Sequence, residues 1–180
     1  PPHTLQHGRD HAAPVGTIEM SERLTHLDDE GRARMVDVGD KPATAREAIA
    51  QGRIRTARGT LQRAMSGDTP KGDVRAIAEI AGVMAGKRTA DLIPLCHPIA
   101  LSSLKVDVAP DEATPGFLVT ARARTTGQTG VEMEALTAVS VACLTLYDML
   151  KAIDRGMVIE GVGLIEKHGG ASGSYVRDAS

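Results

Sequence analysis

Aromatic residues are almost missing: in 180 residues there are only Phe117, Tyr147 and Tyr175, and no tryptophan. Such a chain has no platform for stacking a row of bases. A charge excess of one sign is also lacking. The formal net charge is −2, so nothing marks a general nucleic-acid-binding surface, although one small anionic ligand needs only a local cluster. Two cysteines, Cys96 and Cys143, are too few for a disulfide scaffold or a four-cysteine zinc site, and they read as reduced thiols of a cytoplasmic protein. No fully apolar run approaches the roughly 18 residues of a membrane span. With 42% hydrophobic and 24% charged residues, the composition is that of a globular domain with a core.

The first 19 residues, PPHTLQHGRDHAAPVGTIE, are polar, unpatterned and without the apolar stretch of a signal peptide. They are expected to be a flexible extension preceding a Met-Ser start at Met20, with one domain over residues 20–174 and a flexible tail over 175–180. Within that domain, RARMVDV at 32–38 reads as a first extended segment. Thr44-Ala-Arg-Glu47 matches a capping box for a short helix over 45–50. RIRTA at 53–57 reads as a strand, and a helix over 58–66 closes at Gly67.

Asp73 is a natural N-cap for a helix over 73–89, with Val74, Ile77, Ala81, Met84 and Ala85 on one face. Its many alanines and glycines predict close packing against a neighbour. The alternating runs LKVDV (104–108) and FLVTARAR (117–124), separated by PDEATPG, predict a hairpin. VEMEALTAVSVACLTLYDMLKAI predicts a long helix that stops before Gly156, and MVIEGVGLIEK a last strand. This order predicts an α+β fold: a ferredoxin-like antiparallel sheet covered by helices on one face.

Several residues have the chemistry of a site. Asp148 and Lys151, three apart on the long helix, share a face. The apolar turns before them predict that the pair is buried and that each partner perturbs the other's proton affinity. Glu132 and Glu134 diverge if they lie on a helix and share a face if they lie on an extended lead-in. A carboxylate in a first helical turn is equally good dipole chemistry. Glu134 and Asp148, 14 residues apart, are separated by about 21 Å along a helix. If both are functional, the site has to be composed from two subunits.

Lys71 precedes a helix N-terminus, where N–H groups attract anions. Lys167 opens the glycine-rich KHGGASG, which is either an oxyanion cradle or a mobile tail. GVMAGKR at 82–88 has the wrong glycine spacing for a phosphate-binding loop and lies within a helix. In LIPLCHP, two prolines enforce an extended segment, so Cys96 and His97 point apart, cysteine to the core and histidine to a pocket. No second histidine stands at ligand spacing, which disfavours a metal-dependent hydrolase. A nucleotide-binding regulator without chemistry is the other alternative, and it has no need of the acid–base pair.

Taken together, KGDV, KRTADLIPLCHP, TGVEMEALTAVSVACLTLYDMLKA and LIEKHGGASG resemble the signature segments of the molybdenum-cofactor biosynthesis protein C family, the cyclic pyranopterin monophosphate synthases. LTHLDDEGRARMVDV is similar to the N-terminal segment of that family, so the resemblance covers roughly residues 20–174. It implies a lyase that converts (8S)-3′,8-cyclo-7,8-dihydroguanosine 5′-triphosphate to cyclic pyranopterin monophosphate and releases pyrophosphate. It also implies a homohexamer, a trimer of dimers with sites at the dimer interface. No essential cofactor is implied, Mg²⁺ being an optional companion of the triphosphate.

By the same resemblance Asp148 and Lys151 are the catalytic pair. Leu95, Cys96, His97, Met133 and Glu134 contact substrate. Lys71, Glu132 and Lys167 line the pocket, and Asp37 is a further candidate. Where the family often carries a second lysine this chain has Ala171, and His168 replaces a common serine, which puts a secondary phosphate contact in doubt.

Overall fold

The computed structural model describes residues 30–69 and 71–178. Residues 35–180 form one compact unit, and the chain up to Arg34 belongs to another, whose described part is a turn with an Arg32–Glu30 ion pair of 2.6 Å. The domain boundary expected at residue 20 lies outside the described residues. The expected extension over 1–19 lies outside the described residues.

The elements run β1 (Thr44–Arg55), α1 (Arg58–Ser66), α2 (Val74–Gly86), α3 (Thr89–Leu92), β2 (Ser103–Asp111), β3 (Gly116–Gly127), α4 (Glu132–Leu150), β4 (Val158–His168) and β5 (Tyr175–Val176). They build one antiparallel sheet in the order β2-β3-β1-β4-β5. The first four strands have the ferredoxin-like arrangement that the helix-strand-strand-helix order predicts. β5 adds to its edge, so residues 175 and 176, expected in a free tail, pair with Lys167 and Glu166, and the Arg177 N–H donates to the Ile165 carbonyl.

β1 overturns the helix expected over 45–50. Its register against β3 and β4 satisfies the backbone on both sides, and Ala48, Ala50 and Ile54 alternate into the core. Tertiary pairing overrides the local capping signal. Glu47 does not cap a helix; its carboxylate holds Arg122 at 2.5 Å and also Arg124, across β3. The extended segment expected at 32–38 forms no strand. Within it the Val36 carbonyl pairs with the His97 side chain, and the Val38 carbonyl accepts the Lys41 N–H.

α2 starts at the predicted cap: the Asp73 carboxylate accepts from the N–H groups of Arg75 and Ala76, both at 3.1 Å. The face it buries is not the large apolar one. Val74, Ala78, Gly82, Ala85 and Gly86 turn inward, while Ile77, Ile80 and Met84 remain exposed. The reason is distance between helices. A Cβ on Gly82 would stand 2.9 Å from the Ala138 carbonyl oxygen of α4, and one on Gly86 2.4 Å from Leu104 Cδ2. Only a small-residue face lets α2 approach that closely.

α4 is the core helix. It is long and apolar enough to cross a membrane by length and composition, yet Ala135, Ala138, Val139, Ala142, Cys143, Leu146 and Leu150 are covered by the sheet and α2. Burial pushes the Cys143 thiol up to about 12, so this cysteine behaves as a packing residue.

Candidate active site

α2 and α4 run antiparallel: Gly86 meets the first turn of α4 at Glu134, and Gly82 meets Ala138. The segment just ahead of α2 therefore arrives at the far end of α4, which brings Lys71 beside Asp148. Lys71 Nζ donates to Asp148 Oδ2 at 2.9 Å and reaches the Asp148 main-chain carbonyl at 3.3 Å. Lys151, at the C-cap, donates to Oδ1 at 2.7 Å. The bond from Lys151, then that from Lys71, holds the Asp148 carboxyl down to about 2.

The expected pair is thus a trio, and it is not buried. All three side chains are about half exposed. In the last turns of α4, Leu146, Met149 and Leu150 enter the core while Asp148 lies on the outer side. Burial is the smallest influence on this acid; two ammonium groups dominate it.

The other end of α4 carries a different cluster. Both glutamates lie in the first helical turn, and they diverge as helix geometry requires. Glu134 is 4% exposed, and burial, with a smaller push from the Glu132 charge, raises its carboxyl above the usual range. Met133 between them faces outward. Glu132 Oε1 stands 4.0 Å from Lys167 Nζ, which also donates to the Ser172 hydroxyl. Lys167, Ser172, Thr44, Arg46 and Thr129 line a cleft of about 630 Å³ that Ala171 also borders.

The glycine-rich segment is a built turn. A Cβ at Gly169 would strike the Ala45 carbonyl oxygen at 2.2 Å, and both Gly169 and Gly170 have positive φ, +89° and +79°. His168 bridges the Ser174 hydroxyl at 3.2 Å and the Glu166 carboxylate at 3.3 Å.

Sequence reasoning missed Arg46. Its Nε donates to the Gly127 carbonyl at 2.8 Å and its Nη2 to the Gln128 carbonyl at 3.0 Å, holding the loop that leads into α4. Assigned to a short helix, it had no visible partner. Once β1 is a strand, its pairing of Arg46 with Thr125 puts the guanidinium beside that loop. Thr44 Oγ1, also in the cleft wall, is buried without a hydrogen-bond partner.

The LIPLCHP segment departs from full extension. After α3 it makes a turn closed by the Cys96 N–H on the Ile93 carbonyl at 3.1 Å, and straightens only from His97. Cys96 and His97 still diverge. Cys96 is half-buried, not a core residue, and burial together with the Glu134 charge raises its thiol. Leu95, in the turn, is half-buried as well. His97 turns the other way: its Nε2 lies 2.7 Å from the Val36 carbonyl oxygen, and its ring lines a cleft of about 340 Å³. Asp37 is exposed, and its carboxylate accepts the Gly39 N–H at 2.9 Å, which makes it a turn residue.

Cys96, Met133, Glu134, Glu132 and Lys167 thus lie toward the start of α4, with Leu95 next to Cys96 in its turn. Asp148, Lys151 and Lys71 gather at its end. Among the described residues no three His, Cys, Asp or Glu side chains form a ligand set for a metal.

A ferredoxin-like sheet whose central helix carries lysine–carboxylate clusters at both ends defines an α+β protein with charged groups set out for a small ligand. Residues 35–170 match the family described as the MoaC family, and the chain belongs to that family. It is similar to the cyclic pyranopterin monophosphate synthase of Methylobacterium sp. (strain 4-46), 62% identical over 155 residues that span 86% of this chain and 97% of the relative. The protein of the same name from Chloroflexus aggregans (strain MD-66 / DSM 9485) is 58% identical, over 88% of this chain and 96% of its own. That from Roseiflexus sp. (strain RS-1) is 61% identical, over 86% and 98%.

Proposed function

We propose that this chain is a lyase of molybdenum cofactor biosynthesis that converts (8S)-3′,8-cyclo-7,8-dihydroguanosine 5′-triphosphate to cyclic pyranopterin monophosphate with release of pyrophosphate. The trio of Asp148, Lys151 and Lys71, in a chain of this family, carries the reading. Rearranging the purine-derived rings needs a group that gives and takes protons, and Lys151 is that acid–base group. Asp148 orients it and shares its charge between two lysines. In the last step a substrate hydroxyl attacks the α-phosphorus: a new P–O bond closes the cyclic phosphate, the bond to the β-phosphate breaks, and the hydroxyl proton passes to a base. Lys71 and Lys167 meet the negative charge of the phosphates and of the departing pyrophosphate. Mg²⁺ bound to the triphosphate would supply further charge neutralisation there. His97 and Glu134 assist as pocket groups, with Leu95, Cys96, Met133 and Glu132 around the substrate.

One chain does not bring both clusters to one small molecule, because they sit at opposite ends of the 19-residue α4. A homodimer that sets the start of one α4 against the end of its partner's completes the site, and three such dimers make the homohexamer. The exposed stripe of Ile77, Ile80 and Met84 favours such a contact. The cell compartment we assign is the cytoplasm.

Incubation of the purified protein with the cyclised GTP intermediate tests the reaction. Pyrophosphate and the pterin product are expected in equal amounts. Binding of the intermediate without pyrophosphate would make the chain a nucleotide-binding regulator instead.

A further inference from the structure

His97 is held from behind. Its Nε2 points at the Val36 carbonyl oxygen, 2.7 Å away. A carbonyl oxygen only accepts, so this bond requires the proton to be on Nε2. In the neutral ring Nδ1 is then the bare, accepting nitrogen. Among the described residues no hydrogen bond reaches Nδ1.

The segment that supplies the carbonyl belongs to no sheet, so something else has to fasten it. The Lys41 N–H closes a turn on the Val38 carbonyl at 3.0 Å, and Asp37 caps the Gly39 N–H. At the far side Gln128 Nε2 donates to the Gly39 carbonyl at 2.8 Å. Gln128 is itself steadied, because its own carbonyl accepts from Arg46. Val38 and Gln128 both line the cleft that His97 lines. Residues 36–41 therefore form a strap tied to the rim of the cleft by two side chains, His97 and Gln128, each donating to a main-chain carbonyl.

We propose that this strap, fastened by Gln128, fixes His97 as its Nε2–H tautomer, so that the ring meets substrate as a proton acceptor through Nδ1. Gln128 is a positioning residue: it acts through the strap and His97. The inference rests on reading the His97 cleft as part of the substrate site. Since both the neutral ring and the imidazolium carry a proton on Nε2, the strap stays tied when His97 takes up a proton, and His97 returns to the same tautomer after each transfer.

Nitrogen NMR of the full-length protein labelled in its six histidines tests this, with His97 assigned by loss of its signals in His97→Gln. Expected for the neutral form of the ring in the substrate-free protein is a proton on Nε2 and a bare Nδ1. Gln128→Leu is expected to give a mixture of tautomers. It should also lower kcat by on the order of 10- to 100-fold, the scale of a small misplacement of a reacting group, with much less change in KM. A wild-type ring bare at Nε2, or a Gln128→Leu protein with unchanged tautomer and kcat, overturns the proposal. The spectrum needs no substrate. A wrong tautomer therefore refutes the strap and leaves the reaction standing, whereas a correct tautomer without pyrophosphate release refutes the reaction and leaves the strap.

Discussion

Asp148 and Glu134 are two carboxylates of one helix with opposite environments. Asp148 has a lysine on each oxygen and sits at about 2, against an ordinary value of 3.8. A carboxyl depressed by folding adds stability that is fully present above 3.8 and is lost as pH falls from there through about 2. The stability difference between the wild type and Asp148→Asn, followed by denaturant titration, should therefore be constant at neutral pH and shrink across that window. A difference that is flat down to pH 2 would show that the two lysines do not engage the carboxylate.

Glu134 is raised by burial, so the sign reverses: its contribution is favourable while it is protonated and is lost as pH rises through its elevated titration. Glu134→Gln should therefore raise the thermal midpoint at pH 7 while lowering turnover, a gain in stability at the expense of the site. A lowered midpoint with unchanged turnover would contradict this assignment. Both residues were legible in the sequence as candidates, from spacing and from resemblance. Which of them is desolvated was not. The apolar turns before Asp148 pointed to burial there, but those side chains face the sheet while Asp148 faces out.

Among the elements, α1, α2, the β2–β3 hairpin, α4 and β4 follow from caps, alternation and helical periodicity. β1 follows only at its end, where the strand expected over 53–57 meets Arg53–Arg55; its start does not, because Thr44-Ala-Arg-Glu47 satisfies a local helix rule that only the pairing with β3 and β4 overrules. Losing β1 from view also hid Arg46 and Thr44. The inward face of α2 was hidden for a related reason. Hydrophobicity singles out Ile77 and Met84, but the limit on helix approach selects Gly82 and Gly86 for the inside. Gly82→Leu should therefore destabilise the fold by roughly 1–3 kcal/mol or more, seen as a lower thermal midpoint, because it drives α2 off the Ala138 carbonyl. It should also weaken activity by shifting Lys71, just ahead of the same helix, away from Asp148. A midpoint equal to that of wild type would show that α2 and α4 are not in close contact.

At the scale of the whole molecule, one chain presents two separate charged clusters, at the two ends of α4, and an exposed apolar stripe on α2. Arithmetic on the sequence already separated Glu134 from Asp148 by about 21 Å, and α4 is an unbroken helix between them. The stripe was not foreseen as exposed. Ile80 is 61% exposed and Met84 53%, one turn apart on α2 and left uncovered by the described residues. Ile80→Glu should therefore reduce the assembly size in sedimentation and lower activity in parallel, with the fold of the subunit intact by circular dichroism. A monomeric wild type with full activity would refute the two-subunit site.

Release of pyrophosphate from the cyclised GTP intermediate, compared between wild type and Lys151→Ala, bears most directly on the chemistry assigned to the end of α4. Wild type should release pyrophosphate and form the cyclic pterin phosphate. Lys151→Ala should fold and still bind the intermediate, yet turn it over about 10²- to 10⁴-fold more slowly, the usual loss for a general acid–base group. Near-normal pyrophosphate release by Lys151→Ala would contradict the assignment.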